Sequence, residues 1–348
     1  MRVFVLIVFF LCIGLELVKT KYKFSKKEII TLYILILIAL IVAAGLRDGF
    51  HGYRDYANYV DLYLHEQEEV EVSFNVIANL SKWIAPGNYY VLFMIYALLG
   101  VTAKSIGIFR LTPFVFASLA MYVAHYYSLH ELTQIRAGVA AGLGLIAVKE
   151  IYDKNWIKYL MWMSLAVFFH ISAIIYLPLF FLRGDTFNKT VWIGGSILAI
   201  VVIKSLTTLL FSSILEYGEF VARGETLQGY ANNSVMGKYT LDVTSKFYLL
   251  SYVLCGVYAF LAPKIQAHNR YFYILLKIYI ISIVFRTAFV DALPVVALRC
   301  SELFDVVFIA LFPMLIYVTR PRSIGVSVVG LIGLSYLYRI MFAWGLIP

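Results

Sequence analysis

Apolar runs approaching the length of a bilayer recur from one end of this chain to the other, and they limit the fold more than any motif. A helix needs roughly 20 apolar residues to cross the hydrocarbon core of a membrane. Runs with few charges lie at about 2–18, 28–46, 89–107, 111–128, 135–149, 156–169, 171–183, 190–215, 247–263, 271–291, 300–318 and 323–346. Lipid offers no hydrogen-bond partners to backbone groups, so each run must close its own bonds as a helix. The expected fold is all-α: a polytopic integral membrane protein of about 11–12 transmembrane helices in one domain over residues 1–348. Composition agrees, because 14% of residues are charged against roughly a quarter in soluble domains.

Loop charges then set orientation. The net charge of +9 falls mostly in short loops, as an orientation signal does, and gives no reason to expect nucleic acid. Lys19, Lys21, Lys23, Lys26 and Lys27 crowd the turn after the first run, which places that turn in the cytoplasm. The segment 47–88 is then an outer, periplasmic loop, and its acidic balance fits that side. A second outer loop, 216–246, carries Arg223, Glu225, Tyr230 and Tyr239. The stretch 156–182 is either one long tilted helix or two short segments turning at His170; the basic loops line up inside only with two. Met1 to Val18 lacks a small-x-small cleavage site and is expected to stay as a helix. Cys12, Cys255 and Cys300 lie in or beside apolar runs, as small core residues rather than a disulfide or metal set.

The polar chemistry gathers on the outer side. Arg47, Asp48, Arg54, Asp55 and Tyr56 follow the second run. Arginine there suits bidentate phosphate recognition at headgroup level; the alternative is an ordinary juxtamembrane charge cluster. Gln134 and Arg136 open a helix whose small residues, Gly138/Gly142 and Ala140/Gly144, permit close packing. An arginine so placed is costly to bury unpaired, unless it snorkels to the interface. His170 is a lone histidine in an apolar stretch: a hydrogen-bonded structural residue, or a general base or phosphate contact. No second histidine stands at ligand spacing, so neither a metal nor another cofactor is expected. Arg286, Asp291, Arg299, Glu302 and Asp305 form a further group of membrane-end charges, functional or internally paired. The chain has no Gly-x-x-x-x-Gly-Lys-Ser/Thr loop and no Gly-x-Ser-x-Gly elbow, which excludes a P-loop motor and an α/β-hydrolase nucleophile.

In order as well as type, these residues resemble the EpsG family of Wzy-type polysaccharide polymerases. The resemblance runs through Glu16, Gly45-Leu46-Arg47-Asp48-Gly49, Asp55-Tyr56, Tyr59, Glu71-Val72-Ser73-Phe74, Gln134-Ile135-Arg136-Ala137-Gly138, Phe169-His170-Ile171-Ser172 and Leu298-Arg299-Cys300-Ser301-Glu302. Val72-Ser73 departs from the Pro-Gly associated with the family. The resemblance implies a glycosyltransferase-C-like membrane fold in a bacterial inner membrane with its active site facing the periplasm. It implies an enzyme that joins undecaprenyl-diphosphate-linked oligosaccharide repeat units into an O-antigen, capsule or exopolysaccharide. Membrane lipid, a chain-length regulator and a flippase are the partners it suggests.

On that basis Arg136 is expected at the reacting diphosphate, with Arg47, Arg54, Arg286 and Arg299 as further phosphate or sugar contacts. Asp55 and His170 are the candidate bases, Glu71 positions a sugar or an arginine, Gln134 binds substrate, and Tyr53, Tyr56 and Tyr59 stack on sugar rings. Two rivals remain open: an O-antigen ligase using the same donor, and a non-enzymatic lipid-linked-glycan transporter. A ligase usually carries a large outer loop late in the chain, whereas the longest here is early, at 47–88.

Overall fold

The computed structural model describes residues 1–49, 55–65, 71–209, 245–291 and 293–343. Arg54, Tyr53 and the residues named in the 216–246 loop lie outside them. The helices are α1 (Arg2–Lys21), α2 (Lys26–Gly45), α3 (Tyr56–Leu64), α4 (Val72–Ile84), α5 (Tyr90–Leu111), α6 (Val115–Ala124), α7 (Ile135–Tyr152), α8 (Trp156–Phe169) and α9 (Lys189–Leu209). They continue as α10 (Lys246–Gln266), α11 (Phe272–Phe289), α12 (Pro294–Asp305), α13 (Phe308–Leu311) and α14 (Arg322–Tyr338). Among the described residues there is no strand, and eight helices are long and apolar enough to cross a membrane, beside three shorter apolar ones. The chain is an all-α, polytopic membrane protein. Large apolar side chains that a soluble protein would bury, such as Ile7, Leu35, Val201 and Phe260, face outward, as they must where lipid is the solvent.

Two compact units divide the chain. The first comprises 1–184, 263–275 and 306–348, the second 185–262 and 276–305. In the first, α1 packs on α6 and α14, α2 on α5, and α7 on both α5 and α8. Ser25 and Glu28 cap α2 reciprocally, at 3.2 and 2.7 Å, so the lysine-rich turn ends sharply. Glu16 has a structural use: its carboxylate accepts from the backbone N–H groups of Phe116 and Ala117, both at 3.1 Å, at the start of α6. A carboxylate there satisfies amides that the helix leaves without partners.

The small residues of α7 do what their spacing predicts. A Cβ on Gly142 would stand 2.7 Å from that of Ala103, and one on Gly107 2.7 Å from Leu145. Residue 142 therefore lies beside 103 and residue 145 beside 107, so α5 and α7 run in the same direction in close contact. This register sets Arg136 level with Ala97, about 10 Å along α5 from Tyr90 at 1.5 Å per residue.

The stretch 156–182 folds as a hairpin. Helix α8 ends at Phe169, His170 is extended (φ −155, ψ 112), and a tighter 3₁₀ segment follows over Ile171–Phe181. The Tyr159 hydroxyl donates to the carbonyl of Tyr176, and Lys154 Nζ to those of Phe180 and Leu182 at 2.9 and 2.6 Å. Contacts between the far ends require the strands of chain to double back at His170, so the single tilted helix does not form.

In the second unit α9 lies beside α11. Lys277 Nζ donates to the carbonyl of Thr186 at 2.6 Å, and Tyr252 and Thr287 hydroxyls are 3.0 Å apart. An apolar groove of about 450 Å³ lies among Trp192, Ala199, Ile203, Ile280, Val284 and Phe289.

Candidate functional site

The segment 47–88 contains two amphipathic helices, and these build the site. In α3 the buried residues are Tyr56, Tyr59, Val60 and Tyr63; in α4 they are Ser73, Phe74, Ile77, Ala78 and Ser81. Spacings of three and four put each set on one helix face. Glu71 occupies the N-cap position of α4, its carbonyl accepting from Phe74 N at 2.8 Å. Ring contacts then tie four helices together: Tyr59 to Phe74 at 6.0 Å, Phe74 to Tyr96 at 6.2 Å, and Tyr96 to Phe169 at 6.3 Å. The residue after Phe169 is His170.

That scaffold brings three residues to one place. Arg136, in the first turn of α7, donates from Nη1 to Glu71 Oε2. His170 Nδ1 lies 3.3 Å from the other oxygen, Oε1. The Arg136 guanidinium also sits 5.6 Å over the Tyr59 ring. Arg136 keeps 23% of its side chain exposed, His170 16% and Glu71 10%, so the cluster is sheltered yet reachable.

Charge balance fixes the protonation of Glu71. Burial alone would raise its pKa, but the His170 hydrogen bond and the Arg136 charge outweigh burial and bring it down to about 2. An ionised carboxylate only accepts hydrogen bonds, so His170 Nδ1 must carry the donated proton, and Nε2 is left as the basic nitrogen. Nearby, Ser73 and Tyr96 are buried beside one another, and Arg136 Nε is buried with no hydrogen-bond partner among the described residues. A buried polar atom rarely stays so in a native protein, and this one leaves hydrogen-bonding capacity for a ligand.

The other residues expected from sequence fall elsewhere. Arg47 is buried: its Nη1 donates to the carbonyl of Ala44 at 2.5 Å, and its guanidinium lies 4.3 Å over Phe93 and 5.4 Å over Tyr56. Tyr56 stacks on Phe93 at 4.6 Å and donates its hydroxyl to the carbonyl of Arg47 at 3.2 Å. Asp55 stands at the N-terminus of α3, one turn ahead of Tyr59. Gln134 is the N-cap of α7 and half-buried. Arg286 and Arg299 belong to the second unit. Arg286 is buried 3.8 Å from Asp305 and 4.5 Å over the Tyr248 ring, while Arg299 is exposed on α12, where Glu302 is buried. Asp291 pairs with Lys204 at 2.7 Å.

Sequence inspection did not single out Lys104 and Glu131. They form a wholly buried pair, 2.6 Å apart, one turn below Arg136. An ionisable residue inside an apolar run was the available signal.

Comparison with known proteins gives two findings. The EpsG family model matches residues 29–347. A curated relative, "Amylovoran biosynthesis protein AmsC" of Erwinia amylovora, is 23% identical over 302 residues, covering 80% of this chain and 77% of its own. No solved structure matches the chain.

Proposed function

The chain belongs to the EpsG family, and on that premise we propose that it is a membrane glycosyltransferase of polysaccharide biosynthesis, a Wzy-type polymerase. It joins oligosaccharide repeat units carried on undecaprenyl diphosphate, at the periplasmic face of a bacterial inner membrane. The name of the Erwinia relative supports an exopolysaccharide as product. The single observation that carries the chemistry is the Arg136–Glu71–His170 cluster.

The geometry supports the following roles. One acceptor hydroxyl attacks the anomeric carbon of the donor sugar. A C–O bond forms there as the bond from that carbon to the phosphate oxygen breaks. The hydroxyl proton goes to His170 Nε2, and the lipid diphosphate leaves with the bonding electrons. Glu71 holds the imidazole through Nδ1 and stabilises the imidazolium that forms, as a carboxylate does behind a catalytic histidine. Arg136, aimed by the same carboxylate, meets the negative charge growing on the leaving phosphate. Its first-turn position adds the free amides of a helix N-terminus, which favour anions. The orientation of His170 by Glu71 favours it over Asp55 as the base. Tyr59, buried beneath the guanidinium and stacked beside Phe74, supports Arg136 rather than a sugar. Arg47, already over an aromatic ring, serves as a supporting cation, and half-buried Gln134 at the head of α7 remains a candidate substrate contact.

The test is glycan laddering in a strain lacking the gene. The polymerase account expects a single lipid-linked unit, restored to a ladder by the wild-type gene and not by Arg136→Ala. Whole polymer accumulating on the carrier lipid would instead mean a ligase, and an unchanged ladder in the deletion strain would refute both.

A further inference from the structure

Below the candidate site lies a second charged group with no access to substrate. Lys104 and Glu131 expose 0% and 1% of their side chains. Lys104 Nζ reaches Glu131 Oε1 at 2.6 Å and the carbonyl of Gly138 at 2.7 Å. The Tyr122 hydroxyl donates to the same Glu131 oxygen at 3.0 Å. Three helices and the turn that carries Glu131 are thus bound at one point: α5 through Lys104, α6 through Tyr122, and α7 through Gly138.

The surrounding backbone is shaped to admit this point. Tyr127–Glu131 form a π-helical turn, a wide geometry frequent at functional sites. A Cβ on Gly100 would lie 2.2 Å from Glu131 Oε2, and one on Gly138 2.8 Å from that of His130. Glycine at both positions is therefore what lets the carboxylate and the turn come so close. A buried ion pair is a poor way to gain stability, since apolar residues of the same volume often serve as well or better. Its retention inside a membrane helix calls for a specific use.

We propose that the Lys104–Glu131 pair is a positioning device for Arg136: it pins the first turn of α7 so that the guanidinium meets Glu71 and His170. Gly138 and Arg136 belong to the same helical turn, so a carbonyl fixed at Gly138 fixes the direction from which Arg136 projects. Misplacing a catalytic group by about 1 Å can cost on the order of 10²-fold in rate. Lys104, Glu131 and Tyr122 are positioning residues and touch no substrate. The proposal rests on the polymerase reading only for the identity of the reaction, since the placement of Arg136 is measurable without it.

The experiment replaces the pair by apolar residues, Lys104→Met with Glu131→Leu, in full-length protein whose Cys12, Cys255 and Cys300 are changed to serine. Thermal unfolding should match the parent protein. Glu71→Cys and Arg136→Cys are then added, and their bridging by a short bifunctional thiol reagent is scored on a gel. Bridging should fall at least about fivefold, and without the added cysteines polymerisation should lose about 10²-fold in kcat with little change in KM. Unchanged bridging in a folded double variant would overturn the proposal. If that variant does not fold, Gly100→Ala replaces it, because it displaces the Glu131 carboxylate while removing no polar group. It should lower bridging in the same way, and undiminished bridging there is equally fatal. Absence of turnover in the unmodified protein would refute the polymerase assignment, while the bridging result still decides this proposal.

Discussion

In the first unit Arg136 contacts Glu71 and keeps 23% of its side chain exposed; in the second, Arg286 keeps 4% and stands 3.8 Å from Asp305. Each lies near a helix end and over a tyrosine ring, Tyr59 or Tyr248. The difference lies in what else the carboxylate does. Glu71 has His170 on its second oxygen, whereas Asp305 accepts there from the Ser282 hydroxyl at 3.1 Å. One carboxylate therefore links a cation to a titratable imidazole, and the other is tied to a hydroxyl that holds its proton. Sheltered and linked, Arg136 is suited to chemistry; enclosed and tied, Arg286 is suited to holding helices α11 and α12 together.

The largest effect that could break this contrast is on turnover. Arg136→Ala should lower polymer formation by about 10²–10³-fold, the usual loss for one preorganised charge-stabilising group. Arg136→Lys should recover little of it, because an ammonium cannot reproduce the planar fork. Equal losses from Arg286→Lys would erase the distinction. Next in size is stability. Asp305→Asn leaves the Arg286 charge buried and should cost about 3 kcal/mol in thermal or denaturant unfolding. Arg286→Met together with Asp305→Leu should recover most of that.

A smaller effect concerns pH. Glu71 is held at about 2, below its ordinary 4.5. Its folded-state pKa is depressed, so the stability it contributes is full above about pH 5 and is lost as pH falls toward 2. The unfolding difference between wild type and Glu71→Gln should not fall between pH 8 and about 5 and should shrink below about 4.5. A difference that begins to shrink already near pH 7 would mean the carboxylate is not held by Arg136 and His170. Smallest of all, Arg299→Ala should change stability by no more than about 0.5 kcal/mol, since the side chain is exposed.

The helical membrane architecture was legible because each apolar run must satisfy its own backbone. The turn at His170 was legible from loop charges. The amphipathic helices α3 and α4 were not, since a segment rich in Asp and Glu reads as loop until its buried faces are seen. Glu71, His170 and Arg136 were each visible as candidate residues, but not their meeting. Glu71 and Arg136 are 65 residues apart, and it is the packing of both α4 and α7 on α5 and α8 that brings them together. Lys104 and Glu131 escaped for a related reason. Hydropathy says which segments leave water, whereas the partner of a buried charge depends on helix register, which here is set by Gly107 and Gly142.

The most direct measurement of the central claim is polymerisation by purified protein in liposomes, fed with repeat units on a polyprenyl diphosphate. Wild type should build a ladder and release polyprenyl diphosphate in step with each addition, while Arg136→Ala, folded to the same unfolding temperature, should leave the single unit untouched. A ladder of normal length and rate from Arg136→Ala would contradict the account.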